Sequence, residues 1–132
     1  MIKMLEFSVL GDQRGSLISL EEQRNIPFDI KRVYYIYDTK NEISRGFHAH
    51  KNLEQVAICV KGSCRIVLDD GRLRKSIVLD NPSKGLYIDN SKWREMHDFS
   101  HDCVLLVLAS NVYDESDYIR DYDDFLCYVK GN

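Results

Sequence analysis

The sequence predicts a mainly β chain, a barrel or sandwich of short strands that ends in a short helix. Two observations carry this expectation. Short runs rich in Val, Ile, Leu and Tyr recur at steady spacing with turn residues between them, as in closed or stacked antiparallel sheets. After Asn111 the pattern changes, and apolar residues recur at three- and four-residue steps, the period of a helix. With 132 residues, 44% of them hydrophobic, the chain can bury one sizeable core. Residues 1–132 are therefore expected to form a single domain.

The elements follow in order. KRVYYIY (31–37) alternates and is rich in β-branched and aromatic residues, so it reads as a strand with Tyr35 available to its inner face. RGFHAH (45–50) reads as a second strand. VAICV (56–60) and CRIVLDD (64–70) flank Lys61-Gly62-Ser63, a tight-hairpin signal. Asp70-Gly71 joins CRIVL to LRKSIVL and carries the type I′ hairpin signal. The turn Asn81–Gly85 precedes GLYID. CVLLVLAS (103–110) is nearly continuous in apolar residues, which predicts a strand buried on both faces. Asp114 stands where it can cap a helix whose inner face would carry Tyr118, Tyr122, Phe125 and Val129. On this reading Tyr118 and Tyr122 pack the helix on the barrel.

Composition excludes several classes. A net charge of −3 offers no basic footprint for nucleic acid. No apolar run reaches the roughly 18 residues of a membrane span, and MIKMLEFSVLGDQRG does not read as a signal peptide. Cys59, Cys64, Cys103 and Cys127 have no C-x-x-C spacing. They are expected to be reduced thiols, and the protein to be cytoplasmic.

His48 and His50 bear on chemistry. Two residues apart on a strand, they share one face and would both point into a barrel. An H-x-H pair followed by a carboxylate and then a glycine resembles the first cupin motif. In metal cupins a Glu completes this motif and a further His follows a Pro-x-Gly turn. Here the counted spacing puts Gln55 at the Glu position, with Glu54 one place off, and Ile88 where the His would fall. Two imidazoles and a neutral amide hold a divalent ion poorly, and two buried imidazoles used only as filling cost desolvation. Proton transfer is the remaining use, because histidine titrates near neutral pH. That chemistry suits an isomerase or epimerase working beside a carbonyl, so no metal and no cofactor are expected.

Longer segments sharpen the reading. DQRGSLISLEE (12–22), IPFDIKRVYYIYD (26–38), RGFHAHKNLEQ (45–55), GSCRIVLDDG (62–71), GLYIDNSKWREMHDFS (85–100) and VLASNVYDESDYIRDYDDF (107–125) together resemble the cupin-type dTDP-4-keto-6-deoxy-D-glucose 3,4-ketoisomerases. The resemblance implies a cupin barrel of the jelly-roll type and a dTDP-linked keto sugar as substrate. It implies a homodimer in which N-terminal strands exchange, and a role in making 3-amino-3,6-dideoxy sugars for surface glycans. His48 is then the base and His50 its partner, acting through an enediol, with a lean toward the galacto product. Binding candidates are Arg14 and Arg45 for the diphosphate, Lys51 from the rim, Tyr35 and Gln55 for the sugar, and Trp93 as a wall that packing claims first. His97 is read as structural and His101 as exposed. Two alternatives stay open: a 3,5-epimerase of a dTDP-4-keto sugar, and a sugar-binding cupin without activity.

Overall fold

The computed structural model describes residues 1–131. In chain order its strands are β1 Lys3–Glu6, β2 Leu10–Asp12, β3 Gly15–Leu17, β4 Arg32–Ile36, β5 Arg45–His50, β6 Gln55–Lys61, β7 Cys64–Asp69, β8 Arg74–Leu79, β9 Lys84–Ile88, β10 Trp93–His97, β11 Val104–Ala109 and β12 Tyr118–Ile119. One helix, α1 Tyr122–Gly131, follows. The strands form two antiparallel five-stranded sheets, β1-β9-β6-β11-β4 and β12-β5-β10-β7-β8, and a separate β2–β3 hairpin. The first core cluster draws on both sheets, with Ala57, Leu86, Leu105 and Val107 from one and Ile66, Leu68 and Met96 from the other. The sheets therefore close face to face, and the fold is a cupin barrel with a C-terminal helix.

Two further clusters cover the outside. Ile26 and Phe28 pack on Val56, Ile58 and Leu108 from the outer face of the first sheet. Phe125 of α1 packs on Ala49, Trp93 and Ile119 of the second. This explains the continuous apolar run of β11. Leu105 and Val107 belong to the inner cluster and Leu108 to the outer one, so central residues of the strand are covered on both sides.

Three local expectations are corrected. Lys61-Gly62-Ser63 is not a hairpin, because β6 pairs with β9 and β11 whereas β7 pairs with β8 and β10. The turn carries the chain from one sheet to the other. Gly62 has φ +71°, and a Cβ there would lie 2.9 Å from Cys103 Cα, so only glycine fits this crossing. Asp70-Gly71 does open a hairpin, but the flanking pair is Asp69 with Arg74. The loop has four residues, stabilised by Asp70 Oδ1 accepting from the Arg72 and Leu73 amides at 2.8 and 2.9 Å, and it is not type I′. Asp114 caps a 3₁₀ turn over Glu115–Asp117 by accepting from the Ser116 amide. The α-helix starts only at Tyr122, so Tyr118 lies on a strand.

Candidate active site

The site grows from a bulge in β5. Arg94 of β10 stands opposite His48 and the next residue, Glu95, opposite Gly46. Phe47 is the extra residue. Gly46 and Phe47 have φ +91° and +59°, and a Cβ on Gly46 would approach the Arg94 carbonyl to 3.1 Å. The bulge leaves Phe47 outside, 43% exposed, and brings Arg45, Gly46 and His48 onto one cavity, a common use of bulges beside functional sites. The cavity holds about 450 Å³ and is completed by Arg32, Tyr34, Ile36, Met96, Tyr118 and Arg120.

His48 and His50 meet edge to face with ring centroids 5.0 Å apart. The Tyr118 ring touches both, at 5.0 Å and 4.3 Å, because β12 pairs Tyr118 with His50. His50 is buried. Its Nδ1 lies 3.0 Å from Asp117 Oδ2, and Asp117 Oδ1 accepts from the Asn52 amide at 2.8 Å. His50 Nε2 is buried without a hydrogen-bond partner. A second cavity of about 290 Å³ reaches His50 and Asp117 from the other side of Tyr118 and Arg32.

Beneath the histidines lies Arg94, 0% exposed. Its Nη1 donates to Gln55 Oε1 at 2.5 Å and its Nη2 to the Lys92 carbonyl at 2.9 Å. Gln55 Nε2 in turn donates to the Tyr34 hydroxyl at 3.0 Å. Among the described residues no carboxylate bonds this guanidinium, and its Nε has no partner. Burial lowers the Arg94 pKa to about 10, so the group still carries its charge at neutral pH. The histidines respond to it. Burial first, then the Arg94 charge, lowers His48 to about 4 and His50 to about 2. Both imidazoles are therefore neutral at pH 7. With Asp117 accepting at Nδ1, neutral His50 carries its proton there and keeps Nε2 as a free acceptor.

The predicted residues separate into those the fold assembles and those it does not. Arg45 stands on the cavity rim. Gln55 is buried behind the cavity and acts through Arg94 and Tyr34. Tyr35 is corrected: it is 63% exposed on the outer face of β4, and Tyr34 is the inward neighbour. Trp93 is corrected as well. It is 4% exposed, packs on Tyr122 and Phe125 at 5.3 and 5.9 Å, and donates to Glu95 Oε2 at 2.9 Å, so it is no wall of the cavity. Lys51 does not line it either; its amide donates to the Asp117 carbonyl and its carbonyl accepts from Asn90. Arg14 sits on the β2–β3 hairpin, its side chain 87% exposed and paired with Asp12 at 2.5 Å; it lines a separate open cavity formed by that hairpin, not the histidine cavity. His97 bridges Ser44 and Glu95 at 2.8 and 2.9 Å, and His101 is exposed.

The site also draws on Arg32, Tyr34, Arg94, Asp117, Tyr118 and Arg120. For two of these the sequence carries a signal: in DYIRDY, Tyr118 and Arg120 flank buried Ile119 at period two, although the Tyr118–Tyr122–Phe125 steps predict a helix. Among the described residues, no group of three His, Cys, Asp or Glu ligand atoms forms at the histidines.

The WxcM-like, C-terminal (FdtA) family model matches residues 1–130. The chain belongs to this family of cupin-type sugar-nucleotide 3,4-ketoisomerases, and it is an isomerase. It is 60% identical over 127 residues, 96% of this chain and 91% of the relative, to the TDP-4-oxo-6-deoxy-α-D-glucose-3,4-oxoisomerase of Aneurinibacillus thermoaerophilus. A 3,4-ketoisomerase from Helicobacter canadensis superposes with a TM-score of 0.96 at 58% identity, covering 98% of this chain and 97% of that one. A His-to-Asn mutant of the QdtA 3,4-ketoisomerase from Thermoanaerobacterium thermosaccharolyticum, in complex with TDP-4-keto-6-deoxyglucose, gives 0.96 at 48% identity, covering 99% and 95%. The epimerases NovW and ChmJ, from Streptomyces spheroides and Streptomyces bikiniensis, are 18% and 17% identical and share the fold alone.

Proposed function

We propose that this enzyme converts TDP-4-keto-6-deoxy-D-glucose into a TDP-3-keto-6-deoxyhexose, using its own side chains and no metal or organic cofactor. The observation that carries the reading is the pair His48 and His50, one ring facing the cavity and the other behind it, with a buried guanidinium beside them. The ketone at carbon 4 acidifies the C–H bond at carbon 3. His48 takes that proton and leaves a 3,4-enediolate. A proton then returns to carbon 4, the carbon-3 hydroxyl loses its own, and the ketone moves to carbon 3 with no change in composition. The Arg94 charge favours the enediolate. His50 Nε2 accepts or returns the proton that travels between the oxygens, while Asp117 holds its ring. Arg32 and Arg45 line the mouth, and Arg120 stands beside them paired with Glu115 at 2.8 and 2.9 Å; guanidinium groups in such a mouth suit a diphosphate.

The product would pass to the making of a 3-amino-3,6-dideoxy sugar. Galacto geometry at carbon 4 is the reading from the sequence. Gluco geometry has its own support, because identity is 54% to the TDP-quinovose 3,4-ketoisomerase WlaRB and 43% to the TDP-fucose-3,4-ketoisomerase WlaRA, both of Campylobacter jejuni. Homodimerisation with N-terminal strand exchange also belongs to the proposal, since the β2–β3 hairpin carries Val9, Leu10 and Leu17 at 53%, 61% and 58% exposure.

The test is an NMR time course in deuterated water with chelator-treated enzyme and TDP-4-keto-6-deoxyglucose, with His48→Asn in parallel. The proposal expects a 3-keto product, deuterium at carbon 4, and no turnover by the variant. The coupling between H4 and H5, read in ordinary water, separates gluco from galacto. Exchange confined to carbons 3 and 5 would mean an epimerase, and turnover only after metal is restored would overturn the metal-free mechanism.

A further inference from the structure

Cys59 and Cys64, which are close in the sequence, and Cys103, which is distant, meet in the barrel core at the crossing between the sheets. Cys59 near the end of β6, Cys64 at the start of β7 and Cys103 just before β11 are each at most 1% exposed. Their sulfurs all lie within 4.8 Å of one another, and those of Cys59 and Cys103 are 3.6 Å apart. Three sulfurs bonded to one pyramidal centre by bonds of about 2.3 Å stand roughly 3.3–3.6 Å apart. The Cys59–Cys103 pair already has that spacing and the third sulfur lies within 4.8 Å, so small side-chain rotations bring all three onto one centre.

Charge selects the occupant. The cluster is embedded among Ile66, Leu79, Leu86 and Phe99, and the nearby charge acting on Cys59 and Cys103 is the carboxylate of Asp102. A net charge in such a place is costly. Three thiolates on a monovalent or divalent ion leave a net negative charge, whereas three thiolates on a trivalent centre leave none. We infer that Cys59, Cys64 and Cys103 form a binding site for a trivalent thiophilic metalloid of the arsenic class. Binding is a ligand exchange without redox: three S–H and three As–O bonds break, three As–S bonds form, and three waters leave.

Entry requires only local opening. The cover is the Gly62 crossing and the loop from Phe99 to Cys103, joined by Ser63 N to Ser100 Oγ at 2.9 Å, Ser100 N to Ser63 O at 2.9 Å and Cys103 N to Ser100 O at 3.0 Å. This site is independent of the proposed reaction at the histidines.

The probe is arsenite added to the reduced full-length enzyme, read by native mass spectrometry, thermal unfolding and alkylation. The expected result is one arsenic per chain with loss of three protons, a raised unfolding midpoint, and protection of every thiol but the exposed Cys127. Cys127→Ser should leave all of this unchanged, and Cys103→Ala should abolish the three-proton adduct. Because the main arms use the unmodified protein, a poorly folding variant does not blunt the test. No adduct, an adduct traced to Cys127, or a lowered midpoint that marks capture of the unfolded chain would overturn the inference. Tighter binding of Cu⁺ or Zn²⁺ than of arsenite would overturn the charge argument.

Discussion

The two halves of the barrel interior are filled on opposite rules. Toward the crossing between the sheets, Cys59, Cys64, Ile66, Leu79, Leu86 and Leu105 pack as an apolar core. Toward the histidines, the same two sheets enclose Arg94, Gln55 and His50, buried polar groups at 0–2% exposure. The first half is stabilised by area removed from water. The second gives up part of that gain to desolvate a guanidinium that no carboxylate contacts directly, with Asp89 and Asp117 acting on it only through their charge. It recovers some through a chain of hydrogen bonds running Lys92 carbonyl, Arg94, Gln55 and Tyr34. The difference teaches where chemistry is prepared: the buried guanidinium and the dry surroundings hold two imidazoles neutral, in the protonation state a base needs, though less basic than a free imidazole.

Mutations should divide along this boundary. The largest effect is expected at His48. Replacing it by Asn should lower kcat by about 10²–10⁴-fold, the usual worth of a general base, while circular dichroism and the unfolding midpoint stay close to those of the parent enzyme. Next comes Asp117→Ala. It leaves the Nδ1 proton of buried His50 without an acceptor, so it should cost about 1–3 kcal/mol in denaturant unfolding and lower kcat as well.

Arg94→Met sharpens the comparison by turning the polar half apolar. The guanidinium is the second cause of the depressed His48 pKa, after burial. Its loss should move the acid limb of the kcat/KM–pH profile upward from about 4, part of the way to the ordinary value near 6.5. Stability need not fall, since removing a buried charge can offset the bonds lost. The smallest effect is expected from Ile66→Val in the apolar half. It should cost about 0.5–1.5 kcal/mol and leave kcat per folded molecule unchanged. A large kcat loss there would break the division.

Acid should act on the histidine half first. The unfolded chain binds protons at His48 and His50 near their ordinary pKa, while the folded chain resists them down to about 4 and about 2. Between roughly pH 6.5 and these values the unfolded state holds more protons, so folding stability falls as pH falls. Urea midpoints measured across that window check the direction.

Much of this was legible beforehand, and the physical reasons for the rest are particular. Alternation and turn residues marked β4, β7, β8 and β9, and the H-x-H spacing put both imidazoles on one face of β5. Lys61-Gly62-Ser63 misled because a tight turn between two strands looks the same whether they pair or enter different sheets. The alternation of β4 says nothing about which face is inward, so it could not separate the exposed Tyr35 from the inward Tyr34. Arg94 was invisible because an arginine in a strand is ordinarily solvated, and only the closed barrel reveals that it is covered. Tyr118 was lost to a competing helical period that begins in earnest four residues later.

The most direct test of the account is the ionisation state of the two rings, read by nitrogen-15 NMR of histidine-labelled enzyme over a pH titration. The account predicts that His48 and His50, assigned by their Asn variants, keep neutral-imidazole shifts down to about pH 5. It also predicts that the proton of His50 stays on Nδ1. A ring that titrates above about pH 6, or a His50 whose proton sits on Nε2, would contradict it.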